Sequence, residues 1–325
     1  MNRPLALAAP AVFAMPAVAA FWFVGIGSGG GTGTAPAVLL PPEPVISEVQ
    51  AVAISSPAPG AVPKAVDCGP AVNSEFLEEN QVLSYYGNPY VPAMGILGEL
   101  EPEQLVAKVK AHSRKYDALN GARGVQPALH MIYASAQPKP GADGRHLLYV
   151  DRRTVQRYID LACKNDMLVF LDIQVGLSDP ETEVEAILPY LEAPHVHAAL
   201  DPEFAMPAGQ TPGRGVGSLD ASEINAAQAV LQSFVIERGL PDKMLVVHQF
   251  TDSMVTRREL IKDFPNVGLV IDMDGIGKPE MKAAQFATYA GRAEYSGIKL
   301  FFKQDHGLMR EEDVVRLEPD VIIYH

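Results

Sequence analysis

Residues 168–204 read LVFLDIQVGLSDPETEVEAILPYLEAPHVHAALDPEF. Two short apolar runs, Leu168–Ile173 and His197–Asp201, flank an amphipathic segment. Each run has the length of a strand. The runs are apolar nearly throughout instead of alternating, the pattern of parallel strands covered on both faces. Between them Asp179 stands as an N-cap with Pro180 at the first helical position, so Pro180–Leu191 is predicted to be a helix. Strand, helix and strand within about 30 residues make one βαβ unit.

The same unit repeats outward from this stretch. Further strands are predicted at Val82–Tyr86, Ala128–Tyr133, Met244–His248, Gly268–Asp272, Lys299–Lys303 and Val321–Tyr324, which brings the number to eight. Helices are predicted over Glu101–Ala118, Arg152–Lys164, Ala221–Arg238, Asp252–Asp263, Pro279–Glu294 and Glu311–Leu317. Asp220 and Glu223 stand at capping-box spacing, and Gly239 ends the helix that they begin. Eight units predict an α/β fold, a single (β/α)8 TIM barrel over 72–325 with its last helix missing. Ser74–Asn80 is expected to cover that gap. A doubly wound open sheet is the competing architecture. Connections after strands are long (87–100, 134–151, 203–220) and connections after helices are short. The long loops therefore gather at the carboxyl ends of the strands, where barrel enzymes carry their sites.

The amino-terminal part has a different composition. After Arg3 no charge occurs until beyond Ile26. Residues 1–26 are expected to be a signal peptide or a signal anchor. Residues 27–71, rich in Gly, Pro and Ala, are expected to be a flexible linker. Either form of leader exports the barrel, secreted or membrane-anchored, with membrane contact only through the N-terminal segment. Cys68 and Cys163 are the only cysteines, and their spacing does not say whether they pair. The net charge of −13 excludes a nucleic-acid partner bound through a basic face. No CxxC, HExxH, P-loop or strand-following GxGxxG is present, so neither a cofactor nor a resident metal is predicted.

The strand ends carry a ring of polar groups. In order they are Tyr85, Tyr86 and Asn88; His130 and Tyr133; Asp172 and Gln174; Asp201 and Glu203; His248; Asp272 and Asp274; Lys303 and Asp305; Tyr324 and His325. Asp274 and Asp305 have a simple reading as loop caps. His130 and His248 have one as core histidines, and Lys303 as an ion-pair partner of Asp272 or Asp305. Tyr85 and Tyr86 either fill the barrel or stack on a sugar ring. Asp201 and Glu203 are two residues apart, so in a continuing strand they face the same space. Like charge and burial raise the pKa of such a pair, as a general acid at neutral pH requires. The catalytic candidates are Glu203, Asp201 and Asp172. Tyr85, Tyr86, Asn88, His130, Tyr133, Gln174, His248, Asp272, Lys303 and Tyr324 are the candidate substrate contacts. Phe204–Leu219, with four glycines and two prolines, is expected to be a mobile flap that carries Arg214 toward an anionic substituent.

Asp201-Pro202-Glu203 at the end of strand four of an exported barrel resembles the chitinase-like glycoside hydrolases and the barrel-type lysozymes. The resemblance implies that Glu203 is the proton donor, that Asp201 orients or stabilises the reacting group, and that the substrate is a cell-wall or extracellular polysaccharide. The chain departs from the chitinase pattern at Val196 and Ala199, and from the lysozyme type by having no Asp in SYYGNPY (84–90). Two other functions stay open. One is a metal-assisted hydrolase or phosphodiesterase using Asp172, Asp201, Glu203, His248 and Asp272. The other is a non-catalytic envelope protein that binds a glycan through its aromatics.

Overall fold

The computed structural model describes residues 69–325 apart from Arg292. The expected leader, and the expected linker up to residue 68, lie outside the described residues. Eight strands form the fold: β1 (Asn80–Gly87), β2 (Gly124–Ala136), β3 (Leu168–Ile173), β4 (Val196–Leu200), β5 (Lys243–Gln249), β6 (Val267–Met273), β7 (Tyr295–Leu300) and β8 (Val321–Tyr324). All neighbours among them pair in parallel. β1 pairs with both β2 and β8, which closes the sheet into the TIM barrel and excludes the open sheet. Among the described residues no helix is long and apolar enough to cross a membrane.

Alternation along each strand sorts the side chains into two cores. One parity, including Leu83, Leu129, Val169, Leu171, Leu245, Val247 and Ile271, packs outward against the helices. The other parity, including Val82, Ala128, Leu168, Phe170, Met244, Val246, Val270 and Val321, fills the barrel. Val72 and the short helix α1 (Phe76–Glu79) add Phe76 and Leu77 to this inner cluster. The segment before β1 therefore plugs the amino-terminal floor of the barrel and does not take the place of an outer helix. Arg123 holds it there by donating to the carbonyls of Leu77 and Asn80, at 2.5 and 3.0 Å, and to Asp320 at 2.9 Å.

The outer layer is built from α2 (Pro102–Asp117), α3 (Arg152–Lys164), α4 (Pro180–Leu191), α5 (Ala221–Arg238), α6 (Pro279–Tyr289) and α7 (Glu311–Val315). The caps are those that the sequence predicts. Asp179 accepts from Thr182 N at 2.8 Å, Asp220 and Glu223 form the capping box, and Gly239 is left-handed at φ 62°. Cys163 on α3 is disulfide-bonded; Cys68 lies outside the described residues.

Two expected elements differ. No α-helix forms over Asp252–Asp263. In its place are two 3-10 turns and a strand, Val255–Thr256, that pairs with Leu219–Asp220. Thr256 and Arg257 both donate to the Asp220 carboxylate, and Arg257 sits at φ 50°, which breaks a helix at that point. β7 runs over Tyr295–Leu300, ahead of the expected Lys299–Lys303. Asp305 accepts from Phe301 N at 2.9 Å and turns the chain there. Gly297 pairs with Asp272 in this strand, and a Cβ there would meet Asp272 Oδ1 at 2.9 Å.

Candidate active site at the carboxyl mouth

The inward parity is mostly apolar below the mouth, His197 and Ser84 excepted, and changes there to polar and charged side chains. Tyr86, His130, Asp172, Asp201, His248, Asp272 and Lys299 are all buried. Tyr86 Oη donates to Asp172 Oδ2 at 2.6 Å. His248 Nδ1 lies 2.8 Å from Asp272 Oδ2, and its Nε2 lies 3.6 Å from Asp172 Oδ2. Lys299 Nζ donates to Asp274 Oδ2 at 3.0 Å and stands 3.8 Å from the centroid of the Tyr86 ring. The His130 ring lies between Tyr86 and Phe170, with centroids at 5.0 and 5.1 Å. Tyr86 also packs against His325 at 5.5 Å.

Buried charge is costly unless it is paired, and the pairing here sorts the carboxyls. Burial pushes the Asp172 carboxyl up, but His248 and the Tyr86 hydroxyl outweigh it and hold Asp172 well below the usual range. Burial and Lys299 oppose charge on His248, yet the carboxylates of Asp172 and Asp272 hold its pKa well above the ordinary value. Asp272 is pushed upward by burial. His130 is pushed well down by burial, which keeps its ring neutral. Asp201 is raised to about 7, by burial first and then by Asp172 and Asp274. Glu203 is raised to about 8, by burial first and then by the charges of Asp201 and Asp274. Glu203 is only half-buried by surface area, so solvent moderates its shift more than that of Asp201.

The backbone at this pair differs from the continuing strand that the sequence suggests. β4 ends at Leu200, and Pro202, which has no N–H for the ladder, starts a 3-10 turn over Pro202–Phe204. Asp201 caps that turn by accepting from Glu203 N at 3.0 Å. The two residues are therefore joined through a capped turn and do not share a strand face. The loop behind them is tied down at its roots: Met206 N donates to Gly176 O at 2.8 Å and Gly217 N to Glu203 O at 2.6 Å. A Cβ on Gly217 would meet Ala205 O at 2.4 Å, so only glycine permits this approach. Arg214, the expected flap cation, is exposed.

The other expected contacts are placed elsewhere. Tyr85 and Tyr324 have the outward parity and join an aromatic cluster under α2. Tyr85 Oη lies 3.2 Å from His112 Nδ1, and Tyr324 Oη lies 2.7 Å from Tyr116 Oη. Tyr133 is also outward, its ring centroid 5.6 Å from that of Tyr149 and 6.0 Å from that of Tyr190. Asn88 donates to Ser135 Oγ at 3.1 Å and accepts from Tyr90 N at 2.9 Å, so it shapes a loop. Gln174 accepts from Ala136 N at 2.9 Å and tethers β2. Lys303 is exposed and pairs with Glu99 at 2.5 Å, not with Asp272 or Asp305. Asp305 is structural, holding Lys282 at 3.1 Å and Gly277 N at 3.1 Å.

Two members were not among the expected site residues. Lys299 had a sequence signal, since a lysine inside the apolar run GIKLFF must find a partner when buried. Asp274, read from sequence as a cap, is that partner. A surface cavity of about 890 Å³ lies along α3 between Asp151 and Lys164 and shares no lining residue with this network.

No family model matches the chain, and no curated protein matches it. Solved structures share the barrel. An oxaloacetate acetylhydrolase in complex with 3,3-difluorooxalacetate has 13% identity over 77% of both chains, with a TM-score of 0.45. A broad-specificity family 5 endoglucanase from Clostridium acetobutylicum has 9% identity over 77% of this chain and 87% of its own, with a TM-score of 0.45. A tri-modular endo-β-1,4-glucanase from Bacillus licheniformis complexed with cellotetraose has 10% identity over 78% of this chain and 56% of its own, with a TM-score of 0.44. These are likenesses of barrel to barrel and carry no argument about activity.

Proposed function

We infer that this protein is an exported glycoside hydrolase of the chitinase-like or barrel-lysozyme type, with Glu203 as general acid and Asp201 as its helper. The observation that carries this reading is the arrangement at the mouth. Glu203 keeps part of its surface open to substrate while the buried Asp201 carboxyl caps its backbone N–H. Pairs of carboxyls carry most glycoside hydrolysis, and the raised pKa of Glu203 suits it to be the acid. Glu203, protonated at neutral pH, gives its proton to the glycosidic oxygen as the C–O bond breaks. Asp201 faces the positive charge that develops on the sugar. Water then adds its hydroxide to the anomeric carbon, and its remaining proton returns to Glu203.

Glu203→Gln is expected to lower glycan cleavage about 100- to 10,000-fold with an unchanged thermal midpoint. The wild-type rate is expected to fall as pH rises through about 8, where Glu203 loses its proton. Release of reducing ends from chitin, peptidoglycan and β-glucan, followed against pH, measures both. A variant that cleaves as fast as wild type removes Glu203 from the reaction. Export is tested by fractionating cells that express the full chain and locating the barrel by protease protection.

A further inference from the structure

One histidine at the mouth is not explained by acid–base chemistry. His130 is fully buried in the barrel, and neither of its ring nitrogens has a hydrogen-bond partner among the described residues. Burying an unpartnered polar group is costly, and native interiors rarely leave one. The same is true of two atoms facing it. Asp172 Oδ1 and His248 Nε2 are buried without a hydrogen-bond partner among the described residues, the latter 3.6 Å from Asp172 Oδ2. One ligand atom each from His130, Asp172 and His248 lie within 4.8 Å of one another.

The atoms around these three leave those positions free in the way a metal centre requires. His248 Nδ1 is engaged by Asp272 Oδ2 at 2.8 Å, which directs Nε2 toward Asp172 and His130. A ligating histidine usually gives its other ring nitrogen to a carboxylate in this manner, fixing the tautomer. Tyr86 Oη donates to Asp172 Oδ2 at 2.6 Å, and Asp172 Oδ1 has no hydrogen-bond partner among the described residues. Packing between Tyr86 and Phe170 holds the His130 ring. A second carboxylate–histidine group, His248 with Asp272 and Asp274, is also close. There Lys299 already supplies a cation to Asp274 at 3.0 Å, and His248 Nδ1 is already bonded to Asp272.

We propose that His130, Asp172 and His248 bind one divalent transition-metal ion of the zinc class inside the carboxyl mouth of the barrel. Two imidazoles and one carboxylate are the ligand set of catalytic zinc sites that keep an open fourth position. Such ligands sit about 2.0–2.2 Å from the ion, so binding draws the three atoms together. Mg2+ and Ca2+ prefer all-oxygen shells and bind this set poorly. Asp272 and Tyr86 are positioning residues, acting through His248 and Asp172. The site stands independently of Glu203 as the acid.

The test is zinc binding to the full chain after chelator treatment and dialysis, by calorimetry and by metal analysis. One zinc per chain is expected, with no comparable heat from Mg2+ or Ca2+. His130→Ala and His248→Ala are expected to abolish binding, and Asp272→Asn to weaken it about 10- to 100-fold. Glu203→Gln is expected to bind as wild type does, which separates this site from the proposed acid. Should the alanine variants not fold, Co2+ loaded into wild type provides the second readout. Visible bands of a four- or five-coordinate nitrogen and oxygen site, without a thiolate charge-transfer band, support the proposal. Wild type that takes up no zinc, variants that bind as wild type does, or an octahedral cobalt spectrum overturn it.

Discussion

The two ends of the barrel interior are filled in opposite ways. At the floor, Val72, Phe76, Leu77, Val82, Leu168, Met244 and Val321 make an apolar plug. At the mouth, the same inward parity carries Tyr86, Asp172, His248, Asp272 and Lys299, all buried and joined by short contacts. Polar atoms occur near the floor and several are bonded to backbone, although His197 Nε2 is buried without a hydrogen-bond partner among the described residues. Lys243 Nζ donates to Ala193 O at 2.9 Å, and His197 Nδ1 accepts from Met244 N at 3.1 Å. Mouth atoms such as Asp172 Oδ1, Asp272 Oδ1 and His248 Nε2 have no hydrogen-bond partner among the described residues. A floor that is mainly apolar serves stability. At the mouth the unbonded ligand atoms cluster, where the proposed metal would sit.

The largest expected contrast comes from the floor. Leu168→Ala removes a fully buried side chain and is expected to cost about 2–5 kcal/mol in urea unfolding, while leaving the rate per folded molecule unchanged. A change in rate larger than the change in folded fraction would break the division between the two ends. Adjacent tyrosines give a smaller contrast. Tyr86→Phe removes a bond to a charged carboxylate and is expected to cost about 1.5–3 kcal/mol and to lower activity. Tyr85→Phe removes a neutral bond to His112 on the outer face and is expected to cost about 1 kcal/mol with activity intact. Equal effects of the two on activity would deny that parity separates site from scaffold.

The smallest contrast is in pH. A carboxyl whose folded pKa is raised binds its proton more tightly when folded. Its contribution to stability is complete below the unfolded value and is lost as pH rises through the folded one. For Glu203 that window runs from 4.5 to about 8. Glu203→Gln is expected to flatten the decline in unfolding free energy from urea titrations across this window by about 1 kcal/mol, the partial exposure of Glu203 screening the rest. An unchanged decline would assign it to Asp201, raised to about 7, or to other groups.

Much of the architecture was legible because its signals are local. Apolar runs, caps such as Asp179 and Asp220, and long loops after strands each depend on neighbours in the chain. The Asp252–Asp263 helix failed where a distant carboxylate, Asp220, captured Thr256 and Arg257. The site was legible as a ring of strand ends but not as a set of side chains. Tyr86, His130, Asp172, His248 and Asp272 come together, whereas Tyr85, Tyr133 and Tyr324 face the helices. In a parallel barrel both faces of every strand are buried, so polar and apolar residues do not alternate to mark which parity is inward.

By itself, the sequence determined the number of strands, their parallel order and the end at which polar groups collect, because period, capping and loop length act over a few residues. Only the tertiary structure decided which neighbour of each pair points inward and which charges meet there. Closure of β1 on β8 brings residues more than 200 positions apart into register, and no local pattern encodes which side chains that closure faces toward one another.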